Sequence, residues 1–198
     1  MLEQSLFGSL EAGVDEAGRG SLAGPVTAAA VILPSKINFQ GLNDSKKLSP
    51  IQRKQLRTEI EGQAIAYSIA HIDSKTIDKI NILNSTIKAM HKALSNLKIT
   101  PEHLLVDGNF FIRYKNIPHT CIIKGDEKYQ NIAAASILAK TYRDEIMESL
   151  HLKFTIYDWE NNKGYATKKH REAIENHGIT IHHRKSFRLL NKQLTIIF

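Results

Sequence analysis

Residues 13–20 read Gly-Val-Asp-Glu-Ala-Gly-Arg-Gly. They place two carboxylates, Asp15 and Glu16, side by side after a short apolar lead-in. Adjacent residues of a strand point to opposite faces of a sheet. The two acids can therefore share a site only if the strand ends or bulges there. We expect the flanking glycines, Gly13, Gly18 and Gly20, to allow that change of direction.

The same stretch continues into a glycine-rich loop, Gly18-Arg19-Gly20. Exposed backbone N–H groups and a guanidinium suit a phosphate ester, and the neighbouring carboxylates suit a metal ion. The stretch therefore favours a phosphate-ester site. The alternative is a surface turn with a structural ion pair between Glu16 and Arg19.

Composition limits the class of protein. The chain has 198 residues, of which 42% are hydrophobic and 24% charged, as expected for one globular domain. Its net charge of +7 favours a polyanionic partner. No apolar run is long enough to span a membrane and the N-terminus lacks a secretory pattern, so we expect a cytoplasmic location and no membrane partner. The single cysteine, Cys121, lies in an apolar run and is expected to be a buried, inert thiol.

Hydrophobic patterns predict an irregular alternation of strands and helices, which indicates a mixed sheet with helices packed against it. One long helix beginning at Asp73 or Ser74 should bury a single stripe. The stripe comprises Ile80, Leu83, Ile87, Met90, Leu94 and Leu97. Strands are predicted at 10–14, 26–33, 64–72, 104–108 and 120–124, and further helices after Ser49-Pro50, from Asn131 to about Leu150 and from Thr167 to Gly178.

Four carboxylates, Asp15, Glu16, Asp107 and Asp126, stand at predicted strand ends or beside glycine. Converging acids repel one another unless cations neutralise them. An all-oxygen set without His or Cys suits a hard ion, Mg²⁺ or Mn²⁺, and two such ions can drive phosphodiester hydrolysis. For each acid alone, a solvated carboxylate is the simpler interpretation. Asp144 lies mid-helix beside charged residues and is predicted to form a salt bridge.

The string at 13–20, together with Val106-Asp107-Gly108 and Lys124-Gly125-Asp126, resembles the signature of the type 2 ribonucleases H. Along nearly its whole length, the chain resembles bacterial ribonuclease HII. The resemblance implies an α/β, ribonuclease H-like mixed sheet flanked by helices. It implies one catalytic domain, 1–198, with 151–198 as a helical C-terminal extension packed on it. It also makes the four acids the metal-binding and catalytic residues.

The activity implied is a metal-dependent endonuclease that hydrolyses RNA in RNA/DNA hybrids, including single ribonucleotides embedded in duplex DNA. The expected cut lies 5′ of the ribonucleotide and leaves a 3′-hydroxyl and a 5′-phosphate. Two alternatives stay open. One is a related nuclease with another substrate, such as a junction resolvase, and the other is a catalytically silent hybrid-binding module.

The resemblance also implies residues that bind substrate. Backbone atoms of Gly18, Arg19 and Gly20, together with Tyr165, would sense the 2′-hydroxyl that distinguishes RNA from DNA. The family more often has glycine where Ala166 stands. Lys46 and Lys47 are candidate phosphate contacts, although paired lysines on a loop are usually only solvated. The run His182–Lys185 would either add to a basic nucleic-acid face or be ordinary surface charge.

The last six residues, Gln193–Phe198, carry four apolar side chains. One interpretation is a final element packing on the domain. The other is a docking peptide, because the pattern Gln-Leu-x-aliphatic-x-Phe resembles the short motif by which bacterial repair proteins bind the replication sliding clamp. The protein is otherwise expected to be a monomer.

Overall fold

A computed structural model describes residues 2–8, 10–35, 39, 41–42 and 48–190. It contains a five-stranded sheet with the strand order β3-β2-β1-β4-β5. The pairs β1–β2 and β2–β3 are antiparallel, whereas β1–β4 and β4–β5 are parallel. The predicted mixed sheet is thus confirmed. The strands are β1 Glu11–Ala17, β2 Val26–Ile32, β3 Ala66–Ile72, β4 His103–Asp107 and β5 His119–Ile122.

Helices cover both faces of the sheet, and β2 shows why. Every residue of β2 is buried, so its alternating side chains must find apolar partners on both sides. Ala28 and Ala30 belong to one cluster, in which α2 (Ser74–Asn96) covers the sheet. Ala29 and Val31 belong to the other, in which α1 (Pro50–Gln63) and α3 (Gln130–His151) cover it.

Three helices start where the sequence predicts, at residues whose side chains cap them. Ser49 accepts a hydrogen bond from the backbone N–H of Gln52 and Gln52 reciprocates, with Pro50 at the first helical position. Asp73 caps α2 by accepting from the backbone N–H of Thr76. Thr167 caps α5 (Lys168–His177), which ends at Gly178.

The prediction of one continuous stripe on α2 is wrong in its first half. Asn81 has φ 65° and ψ 170°, which interrupts the helix, and its side chain accepts a hydrogen bond from the N–H of Asn84 to restart it. The interruption changes the helical phase, so Leu83 is 41% exposed while Ile77 is buried. Beyond the break, Ile87, Met90 and Leu94 face the core as predicted.

Two smaller differences concern the end of β5. The strand stops at Ile122, two residues before the predicted end, and a 3₁₀ turn follows at Gly125–Glu127. Asp126 therefore lies in a turn and not at a strand terminus. Cys121 is half-buried, not fully buried, although its burial does raise the pKa of the thiol as an inert cysteine requires.

The C-terminal region adds α4 (Trp159–Asn162) and α5, with a 3₁₀ turn at Thr155–Tyr157 between α3 and α4. It packs on the loop after β1 through a third apolar cluster that joins Leu22 and Ala23 to Trp159 and Ile174. The expectation of surface charge at His182–Lys185 is wrong for its central residues, because His183 and Arg184 are almost fully buried. No helix within the described ranges is long and apolar enough to cross a membrane.

Candidate active site

Strand β1 carries both acids of the opening motif. The expectation that the strand ends or bulges at this pair is wrong: Asp15 and Glu16 lie in regular antiparallel register with Ala29 and Ala28, and the strand continues to Ala17. Both acids nevertheless line one cleft. The cleft is lined by residues of the strand end and of the turn that follows at Gly18, so both acids contribute to it.

This cleft has a volume of about 230 Å³ and gathers residues from distant parts of the chain. It unites three of the four predicted acids with the glycine-rich loop and the predicted tyrosine. Two residues of α3, Ser136 and Lys140, were not predicted. Their spacing of four places them on one helix face, and Ser136 is the polar residue in an otherwise apolar run. The lining consists of Asp15, Glu16, Ala17, Gly18, Arg19, Gly20, Asp107, Ser136, Lys140 and Tyr165.

Asp15 is the most enclosed acid of the cleft, with 5% of its surface exposed. Its Oδ1 accepts a hydrogen bond of 2.6 Å from the backbone N–H of Glu16, and Ser136 bonds to its side chain. Burial, followed by the charges of Glu16 and Asp107, raises the pKa of Asp15 well above its ordinary value. The negative charges of Glu16 and Asp107 therefore disfavour ionisation of Asp15 in the cleft.

Asp107 and Asp126 are linked through Gly125, whose N–H donates to Asp107 Oδ1 at 2.7 Å. Asp126 is buried in the following turn and is not among the described residues that line the cleft. In the described part of the chain, there is no group of three or more His, Cys, Asp or Glu side chains that could hold a metal ion as they stand. The structure thus brings three acids together, and the fourth, Asp126, directly follows the glycine that donates to Asp107.

A buried arginine of α3, Arg143, supports the Gly18–Pro25 loop. Its guanidinium donates to Ser21 Oγ at 2.7 Å, to the Pro25 carbonyl at 2.9 Å and to the Ala23 carbonyl at 3.1 Å. Gly18 packs directly on this side chain: it has φ +90°, and a Cβ there would lie 1.9 Å from Arg143 Nε. Of the three glycines predicted to free the backbone, Gly18 alone has a positive φ.

Arg184 supports the same loop from the C-terminal region. It donates to the carbonyl of Gly24 through Nε and Nη2, at 3.1 and 2.9 Å, and to the carbonyl of Arg19 at 2.8 Å. Burial, and then the charge of Arg143, lower the pKa of Arg184. Two buried cations therefore hold the loop by its carbonyl oxygens and place positive charge beneath it.

Tyr165 stands at the rim of the cleft with 37% of its surface exposed. The guanidinium carbon of Arg143 lies 5.4 Å from the ring centroid and Lys140 Nζ lies 5.9 Å from it. Lys46, Lys47 and Gln193–Phe198 lie outside the described residues.

Comparison with known proteins agrees with this architecture. The family model of ribonuclease HII matches residues 12–190. The chain belongs to the ribonuclease HII family. It is 61% identical to the ribonuclease HII of Christiangramia forsetii, with 94% of each chain covered, and 58% identical to that of Parabacteroides distasonis, with 96% of each covered. The structure of the PCNA:RNase HII complex from Archaeoglobus fulgidus matches with TM-score 0.77 and 28% identity, over 93% of this chain and 98% of that one.

These matches place the chain among type 2 ribonuclease H endonucleases, which cut RNA in RNA/DNA hybrids. The family is therefore neither one of junction resolvases nor one of catalytically silent hybrid-binding modules, the two alternatives that the sequence had left open. The ribonuclease H-like fold with a helical C-terminal region is likewise confirmed.

Proposed function

We propose that this enzyme cuts RNA/DNA hybrids and also single ribonucleotides embedded in duplex DNA, on the 5′ side of the ribonucleotide, leaving a 3′-hydroxyl and a 5′-phosphate. The observation that carries the proposal is the composition of the cleft. It combines carboxylates that suit a hydrolytic centre with a loop and a tyrosine that suit recognition of a sugar.

Asp15, Glu16 and Asp107 would hold Mg²⁺ or Mn²⁺, with Asp126 completing the set. Oxygen ligands without His or Cys fit these hard ions, and a cation would offset the burial and the neighbouring negative charges that together raise the pKa of Asp15. Such ions usually keep several waters and take only one or two carboxylates, so an incomplete protein cage is compatible with binding. When bound, the metal would activate water and stabilise the leaving oxygen.

Substrate recognition would come from other residues that line the same cleft. The loop Gly18-Arg19-Gly20 can offer backbone groups to the sugar and phosphate, and Tyr165 can offer its hydroxyl to a 2′-hydroxyl. Lys140 adds a positive charge to the lining of the cleft. Lys46 and Lys47 are proposed phosphate contacts on sequence grounds. We further propose that the chain acts as a monomeric single domain, 1–198, whose extension, 151–198, supports the loop.

Asp107→Asn tests the hydrolytic site. The change removes one charge from the acid group while keeping its size and its acceptor for the Gly125 N–H. We expect cleavage of a hybrid to fall at least about 100-fold, with hybrid binding and thermal stability retained. Asp73→Asn is the matched control, because asparagine is an equally good helix cap, and it should leave cleavage unchanged. Near-normal turnover by folded Asp107→Asn in Mg²⁺ would contradict the assignment.

The proposed substrate is tested separately with a DNA duplex that carries one ribonucleotide. Product termini can be identified by ligation and by phosphatase treatment. We expect a ligatable 3′-hydroxyl on the fragment upstream of the ribonucleotide. Cleavage of long hybrids alone would leave the family activity intact and reject the embedded-ribonucleotide substrate.

We also propose that Gln193–Phe198 docks on the replication sliding clamp. The sequence pattern supports it, and an archaeal relative has been solved in a complex with PCNA. Leu194, Ile196 and Phe198 would enter an apolar groove. Deleting 193–198, or changing Phe198→Ala, should abolish clamp binding while cleavage and melting temperature stay the same. Thr195→Ala is the control at a position that the pattern does not specify. A large fall in melting temperature on deletion would indicate packing on the domain.

A further inference from the structure

The backbone of Tyr165 is fixed at its carbonyl oxygen. That oxygen accepts a hydrogen bond of 2.8 Å from the N–H of Thr167 and one of 2.9 Å from His170 Nδ1. On the other side, the N–H of Tyr165 donates to the Asn162 carbonyl at 2.8 Å. The backbone from which the Tyr165 ring projects into the cleft is therefore held in part by a buried histidine of α5.

The neighbours of His170 determine which of its nitrogens carries the proton. The indole N–H of Trp159 can only donate, and it lies 3.0 Å from His170 Nε2. His170 Nε2 must then be an acceptor, so the proton is on Nδ1, where it donates to Tyr165. Both Trp159 and His170 are fully buried, which keeps water from competing for these bonds.

A second histidine completes the arrangement. The backbone N–H of Thr180 donates to His183 Nδ1 at 3.0 Å, so the proton of His183 is on Nε2, 3.2 Å from His170 Nε2. A directed series of bonds thus runs from Thr180 through His183 and His170 to the Tyr165 carbonyl, with Trp159 and His183 as two donors that share the one lone pair of His170 Nε2. It requires both imidazoles to be neutral, and burial lowers the pKa of both.

We propose that His170, with its tautomer set by Trp159 and His183, is a positioning residue that holds Tyr165 in the orientation needed to recognise the ribose. This rests on the proposed function of Tyr165. His170 lies behind the tyrosine and is not among the residues that line the cleft, so it would act only through Tyr165.

Two amides at position 170 separate the roles of its nitrogens. In His170→Asn the amide nitrogen can replace Nδ1 and keep the donor to Tyr165. In His170→Gln the amide reaches towards the Nε2 position, so contact with Trp159 is kept and the donor to Tyr165 is lost. We expect His170→Gln to lower kcat/KM on a single-ribonucleotide duplex about tenfold, and His170→Asn to lower it less than about threefold.

A double-mutant cycle distinguishes positioning from general destabilisation. In a Tyr165→Ala background, His170→Gln should change kcat/KM less than about twofold, because the group it positions is gone. An equal loss in both backgrounds would overturn the proposal and leave the function of Tyr165 intact. If Tyr165→Ala itself has no effect on cleavage, the proposed recognition role fails, and the positioning role fails with it.

The tautomer is measurable without any variant. In the full-length wild-type enzyme, long-range ¹H–¹⁵N correlation spectra should show His170 protonated at Nδ1 and His183 protonated at Nε2. A proton on His170 Nε2 would overturn the proposal even if His170→Gln failed to fold.

Discussion

Gly18 is the residue on which the geometry of the loop depends most directly. Its φ of +90° is one that residues with a side chain rarely adopt, and Arg143 fills the space where a Cβ would lie. We expect Gly18→Ala to lower the free energy of unfolding by about 1–3 kcal/mol from backbone strain, with a further loss from displacement of Arg143. Cleavage should fall as well, because Gly18 lines the cleft and the clash with Arg143 must shift one or the other.

Gly20→Ala is the control for stability within the same loop. Its φ is not in the left-handed range, and no atom outside its chain neighbours lies within 4 Å of the added Cβ. Chemical denaturation should find the stability of Gly20→Ala within about 0.5 kcal/mol of wild type. Equal stabilities for the two variants would show that Arg143 yields to a side chain at position 18.

The sequence alone predicted the acids of the cleft, but it did not predict that Arg184 and His183 are buried. Asp15, Glu16 and Asp107 were recognisable because each follows an apolar run and lies beside or near a glycine. Arg184 and His183 were assigned to the surface because charged and polar residues mostly lie there. The burial of Arg184 depends on the carbonyl groups of Arg19 and Gly24, about 160 residues away, and no local pattern encodes that contact.

At the scale of elements, capping residues and apolar runs predicted the helix starts and β2 accurately because both are local signals. The break in α2 was missed because apolar residues at helical spacing, Ile80, Leu83 and Ile87, continue across it. Asn81 combines φ 65° with ψ 170°, a region that glycine occupies almost alone, and its side chain also caps the second segment. At Asn81, the strained backbone thus lowers the stability of the protein, whereas the capping side chain raises it.

Substitutions at Asn81 should reveal both effects. Asn81→Ala loses the cap and keeps the strained backbone, so we expect a loss of about 1–2 kcal/mol in the free energy of unfolding. Asn81→Gly loses the cap but relieves the strain, so its stability should stay within about 0.5 kcal/mol of wild type. Asn84→Ala is the control, since its backbone N–H, the donor to Asn81, is retained. A stable Asn81→Ala would mean that α2 runs continuously in solution.

For the whole molecule, the C-terminal region serves as a support for the catalytic loop. Arg184 holds its carbonyls, Ala23 pairs with His183 in an isolated bridge, and the Gly164 carbonyl accepts from Leu22 N–H at 2.7 Å. The strand order, and with it the position of the cleft at the end of β1, depends on which strands pair with one another. The hydrophobic periodicity of a sequence does not determine that pairing. We therefore expect the Gly18–Pro25 loop and the C-terminal extension, 151–198, to unfold together.

The stability of the whole molecule should depend on pH through the buried histidines. Burial, and then the neighbouring His170 and His182, lower the pKa of His183 from 6.5 to about 4. The pKa of His170 is lowered too, by burial and by the nearby charge of Arg171. As the pH falls below about 6.5, the unfolded chain takes up protons that the folded chain refuses. Stability is therefore complete above pH 6.5 and is lost progressively towards pH 4.

Other groups titrate in or near this window. Asp15 acts in the opposite sense, because its raised pKa lets the folded chain gain a proton first. Asp73, Asp78 and Asp158 have lowered pKa values, so their contributions are lost mainly at and below 3.8. To isolate the contribution of the buried histidines, wild type must therefore be compared with a variant that changes a histidine and keeps all of these acids.

His183→Gln is that variant, because its amide can still donate towards His170 and cannot be protonated. The variant should be less stable than wild type at pH 7.5, but its stability should fall less between pH 6.5 and 4.5. Solvent screening reduces the effect of the pKa shift, so the difference in fall should be on the order of 1–2 kcal/mol. Urea denaturation at half-unit pH intervals measures it. Parallel curves for the two proteins would show that burial does not lower the pKa of His183 in the folded state.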